Sequence, residues 1–272
     1  MSGQHRSPFT GSSVEFAQHR EYVPGDEMRR VDWKVYGRSE RLVVKEFVEE
    51  TNLTCYVLLD ASESMAYASG GWSKLDYARW AAAALSHMVL SQRDTAGLVV
   101  FDKEHRTELP SSNGDAQRRS IFAALEAARP TGPTAVGEVL KRIGPRLKRR
   151  GIVAIFSDFF DDLDGIVEGL RRLVHRGQEP ILFQVLDHQE LAFELEGLVR
   201  FEGLEELGEL KVDPKAIREA YLEEIGAHNR ELARQARALS VDWVPLDTSL
   251  PLDAALSTYL ARRAARSRGG AR

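Results

Sequence analysis

Short apolar runs alternate with longer amphipathic stretches along most of the chain. The apolar runs predict strands at residues 43–48, 54–59, 96–101, 152–156, 181–186 and 241–246, with a short edge strand at 106–109 closed by Pro110. The amphipathic stretches predict helices at about 73–91, 114–128, 134–148, 162–175, 214–239 and 251–264. Strands that alternate with helices of this length are typical of a doubly wound, mostly parallel sheet with helices on both faces. The predicted fold class is therefore α/β.

Two segments interrupt this alternation. Residues 1–42 are polar and contain a turn at Pro24-Gly25-Asp26, which predicts an irregular strap. Apolar and charged residues alternate from Phe193 to Phe201 around Gly197, which predicts an inserted hairpin. The predicted organisation is an N-terminal strap or extension at 1–50 packed on the main domain, an α/β domain at 51–264 with a hairpin insertion at about 190–212, and a disordered Arg-rich tail at 265–272.

Composition narrows the class of protein. Lys and Arg number 37 against 41 Asp and Glu, so the net charge of -4 provides no global basic field for nucleic acid. The single cysteine, Cys55, lies in an apolar run, which excludes an internal disulfide and indicates a reducing compartment. The chain begins without an apolar leader and contains no run of about 20 apolar residues that could cross a bilayer. We therefore expect a cytoplasmic protein.

Candidate metal ligands follow two of the predicted strands. Asp60 ends the strand at 54–59, and Asp158 follows the strand at 152–156. In a doubly wound sheet, ligands bind beyond the carboxyl ends of the strands where the strand order reverses, so these carboxylates converge if their strands are neighbours there. Ser62 and Ser64 follow Asp60 at two-residue spacing, and Thr134 begins a predicted helix at the same edge.

This set of side chains has the chemistry of a magnesium site. Mg2+ takes about six oxygen ligands and usually retains water, and no imidazole or thiolate is present to favour zinc. Mg2+ is thus the expected metal, with Mn2+ as the second choice. Neutral hydroxyl ligands leave the metal electron-poor, so a carboxylate from another protein is a favourable further ligand. The site is predicted to dock a partner rather than to catalyse a reaction.

The same residues carry a resemblance to a known family. Asp60, Ser62, Ser64, Thr134 and Asp158 resemble the metal-ion-dependent adhesion site of von Willebrand factor A domains. From about residue 9 to 263 the chain is similar to a bacterial subgroup catalogued as the domain of unknown function fifty-eight. The subgroup's N-terminal motif is matched by Arg20, Tyr22, Pro24, Gly25, Asp26, Arg30, Asp32 and Trp33, to which we add the nearby Arg38. Its members are commonly encoded beside MoxR-type AAA+ ATPases, so the resemblance implies such an ATPase as the partner, in assembly or chaperone-like activation.

The chain departs from the family pattern at two points. Pro133 stands where a glycine often precedes the threonine, and the transmembrane helices of many longer relatives are absent from this sequence.

The N-terminal motif has two interpretations, a partner-binding face or an ion-paired structural strap. Each candidate metal ligand also has an ordinary explanation, because Ser, Thr and Asp are preferred at helix N-termini and strand ends.

Two other classes of function remain as alternatives, a hydrolase and a nucleic-acid-binding module. A phosphatase-like, metal-dependent hydrolase would use Asp60 and Asp158, but Ser62 stands where such enzymes place a second aspartate as general acid. A serine hydrolase would need a Gly-x-Ser-x-Gly elbow, which the sequence lacks. A nucleic-acid-binding module would use local clusters of cations, at Lys141, Arg142, Arg146, Lys148, Arg149 and Arg150, or in the tail at Arg262, Arg263, Arg266, Arg268 and Arg272. We expect an interaction module and not an enzyme.

Overall fold

The computed structural model describes residues 14–49, 53–103, 105–147, 149–194, 199–202, 209–212 and 214–253. The chain divides into two compact units, residues 1–52 and 53–272. The strands are β1 (Val14–Glu21), β2 (Val43–Glu49), β3 (Thr54–Asp60), β4 (Thr95–Phe101), β5 (His105–Ser112), β6 (Ile152–Ser157), β7 (Glu179–Leu186), β8 (Val199–Glu202), β9 (Glu209–Val212) and β10 (Asp242–Asp247). The helices are α1 (Trp33–Ser39), α2 (Lys74–Ser91), α3 (Gly114–Ala127), α4 (Val136–Ile143), α5 (Leu163–His175), α6 (His188–Ala192) and α7 (Pro214–Ala238).

Six strands of the second unit form one sheet in the order β10-β7-β6-β3-β4-β5. All neighbouring pairs are parallel except β4 with β5, which is antiparallel. The chain leaves β3 toward β4 on one side and later returns to β6 on the other. The strand order therefore reverses between β3 and β6, where a doubly wound sheet places its ligand site. The predicted α/β fold class is confirmed.

Helices cover both faces of this sheet, so its central strands are buried throughout. Successive side chains of a strand point to opposite faces. In β3, Val57 and Leu59 pack in a cluster with Leu75 of α2 and Ile121 of α3. Tyr56 and Leu58 pack in a second cluster with residues of α4, α5 and α7 that include Val139, Leu170 and Leu232. The continuous apolar runs in the sequence thus correspond to strands that are buried on both sides.

Two predicted boundaries are wrong, both beside a proline. The edge strand β5 does not end at Pro110 but continues to Ser112, because the outer side of an edge strand needs no backbone donor. The helix predicted at 134–148 begins at Val136 and ends at Ile143, followed by a 3-10 turn at 144–146. Pro145 has no N–H with which to continue the helical hydrogen bonds.

The N-terminal unit contains more regular structure than predicted. Residues 14–21 form β1, which pairs antiparallel with β2. Between them lie a 3-10 turn at Met28–Arg30 and helix α1. The prediction of an irregular segment up to residue 42 is therefore wrong. A polar sequence forms a strand here because β2, more than 20 residues later, supplies the backbone hydrogen bonds, and such long-range pairing leaves no local pattern.

The inserted hairpin is confirmed, but it lies later in the chain than the predicted turn at Gly197. β8 and β9 pair antiparallel, with Phe201 opposite Leu210. The segment before them forms the short helix α6, which ends at a buried Phe193 in the left-handed conformation. The structure describes only the start of the predicted C-terminal helix, at 252–253; its remainder and the predicted tail at 265–272 lie outside the described residues. None of the helices among the described residues is long and apolar enough to span a membrane.

Candidate metal centre

Asp60 is the last residue of β3, and its carboxylate is fully buried at the carboxyl edge of the sheet. Asp60 Oδ2 accepts hydrogen bonds from Ser157 Oγ at 2.6 Å and from Thr134 Oγ1 at 3.1 Å. Asp60 Oδ1 accepts from the backbone N–H of Ser62 at 2.9 Å. Hydroxyl and amide donors therefore surround the carboxylate, and no cationic side chain of the described residues forms an ion pair with it.

The two serines after Asp60 lie side by side. Ser62 is buried and precedes a 3-10 turn at Glu63–Ala66, which contains the half-buried Ser64. Their Oγ atoms are 3.1 Å apart. The loop is held to the neighbouring strand by the Ala61 N–H, which donates to the carbonyl of Phe101 at 2.7 Å. The tight turn therefore brings the two hydroxyls together just after Asp60.

Thr134 reaches the site on a loop rather than on a helix. The sequence predicted that Thr134 begins a helix, but α4 starts two residues later, at Val136. The loop is anchored through Glu63, whose N–H donates to the carbonyl of Gly132 at 2.8 Å and whose Oε1 accepts from the Gly132 N–H at 3.3 Å. Gly132 has a φ of 65°, a conformation that favours glycine. Glu63 thus has a positioning role that the sequence did not indicate.

Asp158 lies at the same edge but is bound to a lysine. Its Oδ2 accepts a hydrogen bond from Lys74 Nζ at 2.8 Å, and its Oδ1 accepts from the Phe160 N–H at 3.2 Å. Lys74 Nζ also donates to Glu190 Oε1 at 2.7 Å. The Lys74 side chain is 1% exposed and that of Asp158 is 0% exposed. The two aspartates predicted as metal ligands therefore have different partners, hydroxyls for Asp60 and an ammonium group for Asp158.

One feature of the sequence could have indicated that Lys74 is paired with an acid. The residue is the first of α2, where the helix dipole disfavours a cation. A cation at such a position indicates a compensating acid nearby. No feature of the sequence indicated that Glu190, 116 residues later in the chain, is the second acid. Its position predicts only an ordinary capping box at the start of a helix.

Burial is the largest single influence on the pKa of each of these groups. Burial raises the pKa of Asp60 above its usual range, and the nearby Asp158 carboxylate raises it further. For Lys74, burial alone would lower the pKa, but the Asp158 and Glu190 carboxylates outweigh it and raise the pKa above its usual range. Burial also raises the pKa of Glu190. Burial and the neighbouring carboxylate therefore disfavour the charged form of Asp60, and a cation bound beside it would stabilise that form.

The donor atoms fit a hard divalent cation. All are carboxylate or hydroxyl oxygens, and among the described residues no group of three or more His, Cys, Asp or Glu could hold a metal by itself. Any metal would thus depend on the hydroxyls. Adjacent ligands of octahedral Mg2+ lie about 2.9 Å apart. The 3.1 Å separations of Ser62 Oγ from Ser64 Oγ and of Thr134 Oγ1 from Asp60 Oδ2 are close to that value.

The charged residues of the N-terminal motif pair within their own unit. Arg20 Nη2 donates to Asp26 Oδ1 at 2.9 Å, and Asp26 Oδ2 accepts from the Val23 N–H, which closes the turn at Gly25. Asp32 caps α1 and also binds His19 and Lys45. The hydrogen bond from His19, followed by those from backbone and Lys45, lowers the pKa of Asp32 to about 2.

The other members of the motif are exposed, apart from the half-buried Tyr22. The Tyr22 N–H donates to the carbonyl of Leu42 at 3.0 Å, and Arg30 Nε lies 3.6 Å from Glu27. Arg38 lies in the last turn of α1 and is exposed. Trp33 is 54% exposed and makes an edge-to-face contact with Tyr36. The motif therefore combines an ion-paired scaffold with an exposed aromatic pair.

The first cluster of cations is partly neutralised. Lys141 pairs with Glu138 at 2.8 Å and Arg146 with Glu108 at 3.0 Å. Arg142 donates to the carbonyl of Lys103 at 2.8 Å. Arg149 and Arg150 follow the 3-10 turn, while Lys148 and the cations of the C-terminal tail lie outside the described residues.

Comparison with known proteins gives the family. The sequence model described as "Protein of unknown function DUF58" matches residues 18–231. The chain belongs to the DUF58 family. The protein Rv1480 of Mycobacterium tuberculosis strain H37Rv is 26% identical over 269 residues, which cover 97% of this chain and 84% of that protein. The Bacillus subtilis protein YeaD is 27% identical over 181 residues, or 62% of this chain and 42% of YeaD.

Two solved structures share the fold of this DUF58 chain. An aerotolerance-related membrane protein from Bacteroides fragilis aligns with a TM-score of 0.50 at 20% identity, covering 72% of this chain and 92% of that one. BatB from Bacteroides thetaiotaomicron aligns with a TM-score of 0.50 at 18% identity, covering 78% and 98%. The fold is von Willebrand factor A-like, as the resemblance predicted.

Proposed function

We propose that this DUF58 chain is a metal-dependent protein-interaction module that binds Mg2+ at Asp60, Ser62, Ser64, Thr134 and Asp158. The observation that carries the proposal is the environment of Asp60, a buried carboxylate with hydroxyl neighbours and no cationic partner among the described residues. A buried charge without a counter-ion is unfavourable, and a divalent cation would compensate it. When bound, the metal would supply a Lewis acid for an incoming oxygen ligand.

The surroundings of these residues favour docking over catalysis. Ser62 Oγ bonds to Ser64 Oγ, and His188, at the same edge of the sheet, bonds to Asp247 and Ser249. Among the described residues neither Ser62 nor Ser64 contacts the imidazole of His188, so the Ser–His pair of a serine hydrolase is not formed. Lys74 is already bound to two acids. The half-buried hydroxyls of Ser64 and Thr134 are instead suited to share a metal with a ligand from outside.

The ligand we propose is a carboxylate on a partner protein. Hydroxyls are weak, neutral donors to the metal, so the carboxylate of an external Asp or Glu would be a favourable oxygen ligand at a position that the protein leaves open. The family resemblance implies a MoxR-type AAA+ ATPase as the partner class. The module would then recognise an acidic side chain on that ATPase only while the metal is bound.

Thermal unfolding in Mg2+ or Mn2+ tests the metal assignment. A ligand that binds only the native state at 100 times its Kd stabilises it by about 2.7 kcal/mol. We expect the Tm of the wild type to rise with metal and that of Asp60→Ala to stay constant. Asp164→Ala, which removes an exposed carboxylate from the first turn of α5, is the matched control and should respond like the wild type. Equal shifts in Asp60→Ala and wild type would refute the assignment.

Capture of partners from a cell lysate tests the interaction. The wild type should retain an AAA+ ATPase in Mg2+ and lose it in chelator, while Asp60→Ala should not retain it in either condition. If the captured proteins are the same with metal, with chelator and with Asp60→Ala, the proposed docking mode is wrong.

A further inference from the structure

Lys74 is a fully buried cation held between two acids beside the candidate metal centre. Its Nζ lies 2.8 Å from Asp158 Oδ2 and 2.7 Å from Glu190 Oε1. The ring of Phe160 lies below the same ammonium group, with its centroid 5.4 Å from Nζ. The Asp158 carboxylate, which is a proposed metal ligand, is thus already paired with a cation of the protein itself.

A buried ammonium group that lost its only acid would be strongly destabilising, because it would leave an unpaired charge in the protein interior. Lys74 has a second acid, so it can release Asp158 without becoming unpaired. The contact with Phe160 adds a further attraction, because the face of an aromatic ring binds cations. The arrangement therefore allows Asp158 to change partner while Lys74 stays in place.

Glu190 is well fixed for this role. Its Oε2 accepts a hydrogen bond from the Asp187 N–H at 2.8 Å, as part of the capping box at the start of α6. Its Oε1 is the atom that binds Lys74. One oxygen thus anchors Glu190 to the backbone while the other holds the ammonium group.

We propose that Asp158 has two alternative cations, Lys74 in the metal-free protein and the divalent metal in the bound protein, and that Glu190 holds Lys74 during the exchange. The inference rests on the proposed function, since it assumes a metal near Asp60. Lys74 is then a positioning residue that competes for Asp158 and weakens metal binding. Glu190 opposes that effect by retaining the released ammonium group.

Calorimetric titration of the whole chain with Mn2+ and with Mg2+ tests the exchange. Lys74→Met removes the competitor and should tighten metal binding on the order of tenfold, within the range of typical coupling between sites. Glu190→Gln leaves Lys74 more dependent on Asp158 and should weaken metal binding by a similar factor. Lys141→Met and Glu138→Gln, which break an exposed pair on α4, are the matched controls and should leave the affinity unchanged.

Double-mutant cycles separate partner exchange from a simple field effect of the charges. If Asp158 exchanges partners, Lys74→Met should lose its tightening effect in an Asp158→Asn background, and Glu190→Gln should have no effect in a Lys74→Met background. If Lys74 and Glu190 act only through their charge, each change in affinity will be the same in both backgrounds, and that result would overturn the proposal.

The remaining outcomes are also decisive. If neither wild type nor Asp60→Ala binds metal, the proposed function fails and the exchange fails with it. If the wild type binds metal through Asp60 but Lys74→Met and Glu190→Gln leave its affinity unchanged, only the exchange is wrong. Circular dichroism verifies that each variant is folded; should Lys74→Met not fold, Glu190→Gln in the wild-type and Asp158→Asn backgrounds carries the test, with weakening expected only in the first.

Discussion

Ser157 Oγ lies 2.6 Å from Asp60 Oδ2, and the two residues end neighbouring parallel strands. The register of β3 and β6 pairs Leu59 with Phe156, so the next residue of each strand falls side by side. This register brings a hydroxyl donor to a fully buried carboxylate. The sheet itself therefore orients Asp60 before any loop contributes.

Ser157→Ala should weaken metal binding without removing a proposed ligand. Outer-shell partners of metal ligands typically contribute about 10–100-fold in affinity, and Ser157 orients Asp60 as such a partner. Loss of this buried hydrogen bond should also cost about 1–3 kcal/mol of folding free energy. Metal titration and denaturant unfolding measure the two effects.

Ser86→Ala is the matched control, since Ser86 is also fully buried but bonds only to the carbonyl of Ala82 within α2. It should leave metal affinity unchanged and alter stability little, because the helix keeps its own backbone hydrogen bonds. A metal affinity of Ser157→Ala equal to that of Ser86→Ala would count against an orienting role for Ser157.

Gly169→Ala should destabilise the packing of α5 against α4. A Cβ at Gly169 would lie 2.6 Å from Leu140 Cβ, closer than carbon atoms can approach. Overpacking of this kind costs about 1–3 kcal/mol. Gly226→Ala is the matched helical control, because its Cβ would meet only the flexible end of Arg230, at 3.0 Å.

Gly226→Ala should stabilise the protein by up to about 1 kcal/mol, since alanine has a higher helix propensity than glycine. Urea unfolding of both variants gives the comparison. If the free energy of unfolding of Gly169→Ala equalled that of Gly226→Ala, the result would contradict the close packing of α4 against α5.

We expect the pKa of the His188 imidazole to lie above the ordinary value for histidine. The hydrogen bond and the charge of Asp247, at 3.1 Å, raise the pKa of His188 above 6.5. Because the folded-state pKa is the higher one, the stabilisation is fully present below the unfolded value of about 6.5 and is lost as the pH rises through the folded value. A titration of the imidazole followed by NMR should locate that pKa.

Asp247→Asn is the informative comparison for His188, because it removes the charge and keeps the shape. In this variant the pKa of His188 should return toward 6.5. The stability of the wild type relative to the variant should then decline between neutral and mildly alkaline pH. An imidazole that titrates identically in both proteins would show that the pair does not form in solution.

The strand pattern was predictable because buried parallel strands are apolar on both faces. Such strands leave continuous runs in the sequence, and the runs before Asp60 and Asp158 ended at acids as the switch-point geometry requires. The adjacency of β3 and β6 was a hypothesis that the sheet order confirms. The hydroxyls of Ser62 and Ser64 were also predictable, because they lie within four residues of Asp60 and follow it through one turn.

Contacts between distant parts of the chain could not be predicted from local runs and spacing. Thr134 approaches Asp60 on a loop before α4, held by Glu63, although its pattern suggested a helix start. Strand β1 is polar and forms because β2 pairs with it. Both depend on backbone partners far along the chain, which a local periodicity does not encode.

The sequence by itself determined the α/β class, the apolar strands with acids at their ends and the short Asp-x-Ser-x-Ser segment, because local burial and spacing fix these features. Only the tertiary structure decided which cations and hydroxyls those acids meet. Lys74, Asp158 and Glu190 come from three separate regions of the chain, and their contact depends on how α2 and α6 pack at the edge of the sheet. A buried charge takes its partner from whatever the fold brings within about 3 Å, and that choice is made by packing rather than by sequence spacing.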